Sequence, residues 1–377
     1  MRKMSQRTEA VIRLDALAHN IRQVRKLIRP DCRLMAVLKG DAYGHGITGI
    51  YDTLEQNGVD CYAVAVWEEG IQLRQLGCQK PILILGDTCD ACMENVVQYG
   101  LSQTVFSLEQ ARRLNEIAEK MGKSQPVHIK LDTGMSRLGF QIDKSSIEVI
   151  CKIAKMPHLF IEGVFTHFSK ADEIDGVSVS AQFEKYNTMI QWLVEAGIKV
   201  PVRHISNSPA IILHPETNLD AVRAGDILFA LCPVDEQIWN AQGFKQVLHW
   251  YTQVAMVKQV PAGTEVGYGG TFVTNHPTTT IATIPVGFAD GYSRRLSNIG
   301  YVKIRQKIAP IIGRVCMDQF MVDVSGIDDV SRGDTVTLLD DELSILKMAD
   351  MIGANVDEIV CGIGKRVPRV YESVEEI

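Results

Sequence analysis

The chain has 377 residues, long enough for two domains with a sizeable core in each. Hydrophobic residues make up 46% and charged residues 22%, a balance that excludes intrinsic disorder. With 39 Lys+Arg against 45 Asp+Glu the net charge is −6, which lacks the positive footprint of a general nucleic-acid binder.

Nine cysteines is an odd count, and Cys61, Cys151, Cys232 and Cys361 stand singly among apolar residues. They read as reduced thiols and favour a cytoplasmic setting. Cys89 and Cys92 form a CxxC with no second Cys or His pair at zinc-finger spacing, which speaks against a metal site. The charged start MRKMSQRTEA does not resemble a signal peptide. No run approaches the roughly 18 apolar residues that a membrane span requires.

In chain order, a first strand at Glu9–Leu14 precedes any regular rhythm. Short apolar runs then alternate with longer amphipathic ones. The strand candidates are Arg33–Lys39, Cys61–Val66, Pro81–Leu85, Gln103–Phe106, Val127–Leu131, Phe160–His167, Val202–Ser206 and Ala221–Arg223. Eight is the number that a closed parallel barrel of strand–helix units needs. Helical spacing appears between them at Glu69–Gln75, Leu108–Met121 and Ala181–Ala196; in the second, Ala111, Leu114, Ile117, Ala118 and Met121 share one face. After Trp239 the runs become β-rich and are broken by Gly, Asn, Asp or Pro, with helical spacing only at Leu343–Met351. The reading is a (β/α)8 barrel over residues 1–240 and a mostly antiparallel β domain over 241–377, with residues 1–15 a candidate to pair with the latter.

Polar and charged residues gather at the C-terminal ends of the expected barrel strands: Lys39, Lys130 with Asp132, His167, Ser206 to Ser208, and Arg223. In a parallel barrel that rim is where loops converge on an open mouth. Polar residues often end strands, but that explains poorly an ammonium, an imidazole and a guanidinium at one rim. Lys39 ends an apolar strand and precedes GDAYGHG. Desolvation there would lower its pKa and suit an amine nucleophile or a general base. Taken alone, a strand-end lysine more commonly makes a salt bridge, and Tyr268 in GYGG reads as a turn aromatic.

The run Lys39-Gly-Asp-Ala-Tyr43-Gly-His-Gly resembles the cofactor-lysine signature of the alanine racemases, fold type III pyridoxal-phosphate enzymes. Only Gly40 departs from it, where those proteins usually carry Ala. Further blocks similar to that family follow in order: KLDTGMSRLG from Lys130 through Arg137, Thr166-His167-Phe168, Ser206-Asn207-Ser208, and Val222-Arg223-Ala224-Gly225. GYGGT with Tyr268, PVGFADG with Phe288, GRVCMDQ with Met317 and Asp318, and Arg366-Val-Pro-Arg369 complete the set. On these blocks, which reach from residue 33 to 371, the chain is identified as a member of the family.

The resemblance implies a TIM-like barrel, a C-terminal β domain and a head-to-tail homodimer with shared active sites. It implies pyridoxal 5′-phosphate as cofactor and racemisation of L- and D-alanine, supplying D-amino acid for peptidoglycan. By the same resemblance Lys39 holds the cofactor as a Schiff base and serves one face of the substrate Cα, and Tyr268 of the other subunit serves the opposite face. Tyr43, Ser208 and the backbone at Gly225 would bind the phosphate, with His204 supporting that loop. Arg223 would face the pyridine nitrogen, oriented by His167. Arg137 would receive the substrate carboxylate, and Lys130 matches a position often carbamylated. Met317 and Asp318 of the second subunit would close the substrate pocket. No metal is implied.

Three further departures matter. Asp357 falls where the family usually has a tyrosine, and serine-accepting relatives are similar in carrying a smaller polar residue there. A serine or dual alanine/serine racemase is therefore the alternative; a local shift turning Asp357 to solvent is the bland one. Phe288 replaces an entrance tyrosine. Asp226 stands where an apolar residue is usual, and repulsion from a phosphate is expected to turn it away. A non-catalytic pyridoxal-phosphate-binding barrel would lack the residues beyond 240, and a fold type III decarboxylase would bring a catalytic Cys in a context unlike that of Tyr268.

Overall fold

The computed structural model describes residues 4–231 and 234–373; Cys232 lies outside the described residues. Strand β1 (Thr8–Arg13) leads into the helix Leu14–Leu27, which buries Ala16, Leu17, Asn20, Ile21 and Val24 along one face. The barrel strands follow: β2 (Arg33–Val37), β3 (Cys61–Val64), β4 (Ile82–Ile84), β5 (Ser102–Val105), β6 (Gln125–Lys130), β7 (Leu159–Phe165), β8 (Val202–His204) and β9 (Ala221–Ala224).

They form one parallel sheet in the order β8-β7-β6-β5-β4-β3-β2-β9. Between its two ends, the Arg223 amide donates to the Ser206 carbonyl at 3.1 Å and the Asp220 amide to the Arg203 carbonyl at 3.0 Å, nearly closing the barrel. Near-continuous apolar runs suit strands covered on both faces, and all eight expected strands are present within two residues at each end. The helices Trp67–Gln75, Leu108–Lys120 and Val177–Glu195 occupy the stretches where helical spacing was read. The Ser107 hydroxyl caps the second by accepting the Gln110 amide proton at 3.1 Å.

Among the described residues ten strands follow the barrel: β10 (Leu248–Gln253), β11 (Met256–Pro261), β12 (Glu265–Val266), β13 (Phe272–Val273), β14 (Thr278–Ile284), β15 (Tyr301–Ile304), β16 (Lys307–Ile312), β17 (Phe320–Asp323), β18 (Thr335–Leu339) and β19 (Arg369–Glu372). β12 and β13 pair with each other, and the rest join β1 in the order β11-β14-β17-β16-β15-β18-β10-β1-β19. β1 lies antiparallel to β10 and parallel to β19, so the chain's start is held within the sheet built by its last third. Trp250 of β10 is fully buried and donates its indole N–H to Thr8 Oγ1 at 2.7 Å.

Two helices, Ile345–Ile352 and Val356–Gly362, precede β19. The second was not expected from sequence, because seven residues give too little helical period to read. Its first turn is capped by Asn355, whose side chain accepts the Asp357 amide proton at 2.8 Å. It packs directly on the turn after β2: a Cβ on Gly44 would lie 2.5 Å from the Val360 carbonyl oxygen. Among the described residues no helix is long and apolar enough to cross a membrane.

Candidate active site

β2 ends at Val37, and Lys39 begins a turn in which Gly40, Asp41, Ala42 and Tyr43 have φ of +64°, +53°, +55° and +53°. Each non-glycine residue held this way costs about 1–2 kcal/mol, so the surroundings must enforce the turn. They do so through the Asp41 carboxylate, which accepts the Ile47 amide proton at 2.8 Å, and through Glu69, which accepts the Asp41 amide proton at 3.1 Å. Lys39 Nζ consequently stands 5.3 Å from the Tyr43 ring centroid. Both line a cavity of about 340 Å³ at the C-terminal ends of the barrel strands. Lys39 is exposed at the rim rather than desolvated as the sequence suggested, because its strand ends two residues earlier.

Arg223, on β9, is buried beneath this cavity with no carboxylate partner among the described residues. Its Nη2 donates to the Thr166 and Ile205 carbonyls at 2.8 and 3.0 Å and faces His167 Nδ1 at 3.2 Å. Its Nη1 donates to the His204 carbonyl at 2.9 Å and faces His204 Nδ1 at 3.0 Å. A guanidinium has no acceptor, so both imidazoles must present an unprotonated Nδ1. Burial pulls the guanidinium down to about 10, which still leaves it charged at neutral pH. Burial and then the Arg223 charge hold His167 well below its ordinary range. His204, expected to support the phosphate loop, instead braces Arg223, because the end of β8 turns it into the barrel beside β9.

At the opposite end, the Asn207 side chain caps the helix Ser208–Leu213, accepting the Ala210 amide proton at 3.4 Å. Ser208 Oγ accepts the Gly225 and Ile227 amide protons at 3.2 and 3.3 Å. A Cβ on Gly225 would lie 2.3 Å from Tyr43 Oη, so only glycine admits the phenol here. Asp226 does not turn away: it lines the cavity and hydrogen-bonds with Tyr43. Burial raises its carboxyl pKa, and Lys39 and the Tyr43 hydroxyl face it, which offsets the charge repulsion expected from sequence. Burial first, then the Asp226 charge, lifts Asp357 to about 6. Asp357 is half-buried, and its Oδ1 is buried without a hydrogen-bond partner among the described residues, so that oxygen faces the protein interior.

Lys130, at the end of β6, is buried, with Nζ donating to the Leu131 carbonyl at 3.1 Å and lying 5.0 Å from the Phe165 ring. Burial, then the charges of Arg223 and Arg137, brings its amine down to about 7. Asp132 Oδ1 accepts the amide protons of Gly134, Met135 and Ser136 at 3.0, 3.1 and 3.0 Å, and so shapes the loop that presents Arg137 at the cavity edge. Leu85 and Gly86 also line the cavity; a glycine just after an apolar barrel strand was the signal available for them. Tyr268, Met317 and Asp318 do not line it. Tyr268 and Met317 are 71% and 56% exposed, Phe288 is also exposed, and Asp318 pairs with Arg366 at 2.6 Å.

The family model "Alanine racemase, N-terminal domain" matches residues 12–233, and "Alanine racemase, C-terminal domain" matches residues 247–371. The chain is similar to the alanine racemase of Clostridium tetani, with 42% identity over 96% of this chain and 94% of the relative. It superposes on an alanine racemase structure from Clostridium difficile 630 with a TM-score of 0.95, at 38% identity over 99% of this chain and 98% of the other. A structure of alanine racemase from Bartonella henselae with covalently bound pyridoxal phosphate gives a TM-score of 0.88 at 28% identity, over 97% of this chain and 100% of the other.

Proposed function

The chain belongs to the alanine racemase family of pyridoxal-phosphate-dependent isomerases, and from that premise we propose that it interconverts L- and D-alanine by a two-base route in a homodimer with shared sites. The observation carrying this reading is the convergence of Lys39, Arg137, His167 and Arg223 on one barrel-mouth cavity. The cavity lies in the usual size range for a bound small molecule. The side chains present fit the cofactor: Lys39 for covalent attachment, Tyr43, Ser208 and Gly225 for its phosphate, and Arg223 for its ring nitrogen.

Bound pyridoxal phosphate acidifies the substrate Cα–H by drawing off the electron pair left behind. Lys39 takes or returns the proton at one face of Cα, the face of the D-enantiomer. Tyr268 of a second copy takes or returns it at the other, which its exposure in this chain leaves it free to do. Arg223 would donate to the ring nitrogen without surrendering its proton, since its pKa stays well above neutrality. Arg137 receives the substrate carboxylate, for which a guanidinium fork is suited. Met317 and Asp318 of the second copy narrow the entrance. Lys130, with an amine near pH 7, adds carbon dioxide in its neutral form with loss of one proton, and the resulting carbamate would face Arg137. Residues 1–240 are the cofactor-holding part and 241–377 the part that completes the neighbour's site. The D-alanine formed serves peptidoglycan, and the free thiols among the described residues fit a reducing cytoplasm.

Serine is the competing substrate, favoured only by the half-buried Asp357 with its buried Oδ1; the names of the relatives favour alanine. The test compares kcat/KM for alanine and serine in the purified, cofactor-loaded protein and in Lys39→Ala. Lys39→Ala is expected to lower the alanine rate by at least about a thousandfold, the scale of a lost base, and to abolish covalent cofactor. Wild-type protein that leaves L-alanine unconverted overturns the reading.

A further inference from the structure

Beneath the mouth, where barrel interiors are usually filled by branched apolar side chains, a column of buried polar groups runs toward the opposite end. Arg223 Nη1 meets His204 Nδ1 at 3.0 Å, His204 Nε2 meets His128 Nδ1 at 2.9 Å, and His128 Nε2 meets Glu162 Oε2 at 3.0 Å. Ser102 Oγ closes the far end, donating to the same Glu162 oxygen at 2.6 Å. Ser102, His128, His204 and Arg223 are all buried, and Glu162 is the column's one partly exposed member.

The column has a forced direction. Arg223 can only donate, so His204 must accept at Nδ1 and carry its proton on Nε2. His128 then accepts at Nδ1 and carries its proton on Nε2, which donates to the Glu162 carboxylate. The reverse order would set an Nδ1–H of His204 against an Arg223 N–H. Burial alone would raise the Glu162 carboxyl, but hydrogen bonds from His128 and Ser102 outweigh it and keep the group below its ordinary value. Burial holds His204 well below its ordinary range, and hence neutral.

The backbone is adapted to this column. A Cβ on Gly163 of β7 would lie 2.5 Å from His128 Nδ1 and 2.8 Å from the Val202 carbonyl oxygen, so the imidazole occupies space that only glycine leaves. The β6–β7 register passes from Val127–Ile161 to His128–Gly163, which leaves Glu162 as the extra residue of β7 at this point. The Phe165 ring stacks on His204 with centroids 4.7 Å apart and planes 8° from parallel, fixing the second imidazole.

We propose that Glu162 is a positioning residue for the chemistry at the mouth, fixing through His128 and His204 the orientation of the Arg223 guanidinium. This rests on the reading that Arg223 faces the cofactor's ring nitrogen. No proton passes along the column, because Arg223 keeps its own; what passes is hydrogen-bond direction and polarisation, which neighbouring bonds in a low-dielectric interior reinforce. A carboxylate at the terminus anchors that direction more strongly than a neutral acceptor does.

The test has two arms. In the wild-type holoenzyme labelled with 15N-histidine, NMR should show unprotonated Nδ1 and protonated Nε2 at both His128 and His204. A protonated Nδ1 at either one overturns the relay without any variant being made. In Glu162→Gln, the His204 Nε2–H proton resonance should move upfield, although His204 does not touch residue 162. The weaker terminal bond should lower kcat for alanine roughly fivefold, the difference between a charged and a neutral acceptor. The KM for alanine should stay within about twofold, since the lost effect lies on the reacting state. An unmoved His204 signal with unchanged kcat rejects Glu162 as a positioning residue. Absence of alanine turnover in the wild type would instead strike the proposed activity, leaving the NMR arm intact.

Discussion

The barrel mouth and the glycine-rich face of the C-terminal domain carry comparable candidate chemistry in opposite physical states. At the mouth, Arg223 is 4% exposed and engaged in five hydrogen bonds, and Lys130 is also buried. On the C-terminal domain, Tyr268 sits among Gly267, Gly269 and Gly270, mostly in water. The first set is pre-organised by its own chain. The second has little of the packing that fixes a reacting side chain until another surface covers it. On the proposed two-base reading, length therefore matters for mechanism: the barrel assembles a cofactor site, and the remaining third would lend Tyr268 to the site of a second copy.

The largest effect that separates the two regions is expected from Tyr268→Phe. It should lower kcat for alanine by about a hundredfold to ten-thousandfold, the range of a lost general acid or base, while the bound-cofactor absorbance remains. Because the side chain is so exposed, folding stability should change by less than about 0.5 kcal/mol in a thermal melt. Lys39→Ala differs in kind, since it removes the covalent cofactor as well as the rate. Undiminished racemisation by Tyr268→Phe in both directions would break the contrast and the two-base reading with it.

Much of the mouth was legible because barrel strands announce themselves. RLMAV is apolar and buried after its first residue, and Lys39, just beyond it, is delivered to the rim. What escaped depends on neighbours distant in sequence. Asp226 looked repulsive because nothing local shows that Tyr43 and Lys39 face it. Asp357 sits on a seven-residue helix too short to leave a period. His128 and Glu162 carry no local signal that sets them apart within their strands, and His204 was expected to support the phosphate loop. The one local hint for the relay was Gly163 beside a charged residue in FIEGVF, a glycine that makes sense only once a ring from the next strand lies against it.

A second measurement sharpens the contrast on the barrel side. Lys130 has an ordinary value of 10.5 and is brought to about 7 when buried. Between those two pH values the unfolded chain still binds the proton that the folded chain has released, so this group makes unfolding free energy rise with pH. Below pH 7 both states bind it, and the penalty for the buried charge is complete and constant. In carbon-dioxide-free buffer, denaturant unfolding of the wild type should show this rise, and Lys130→Met should flatten it. Identical pH profiles for the two proteins would mean that Lys130 is not held as a buried amine.

The smallest expected effect tests how firmly the mouth holds its own shape. Gly40 has φ +64°, and a Cβ there would lie 3.4 Å from Cys361 Sγ, at the edge of ordinary contact. Gly40→Ala therefore adds mainly backbone strain, about 1 kcal/mol, which for a chain this size lowers Tm by roughly 1–2 °C. The next three residues already hold the same left-handed conformation with side chains attached, so the turn itself should survive. Alanine kcat should then stay within about twofold, since a shifted Lys39 would cost far more than that. A large loss of kcat with unchanged Tm would show that the turn is not enforced by its surroundings. In that case the mouth, as proposed for the face that carries Tyr268, would depend on a partner for its final geometry.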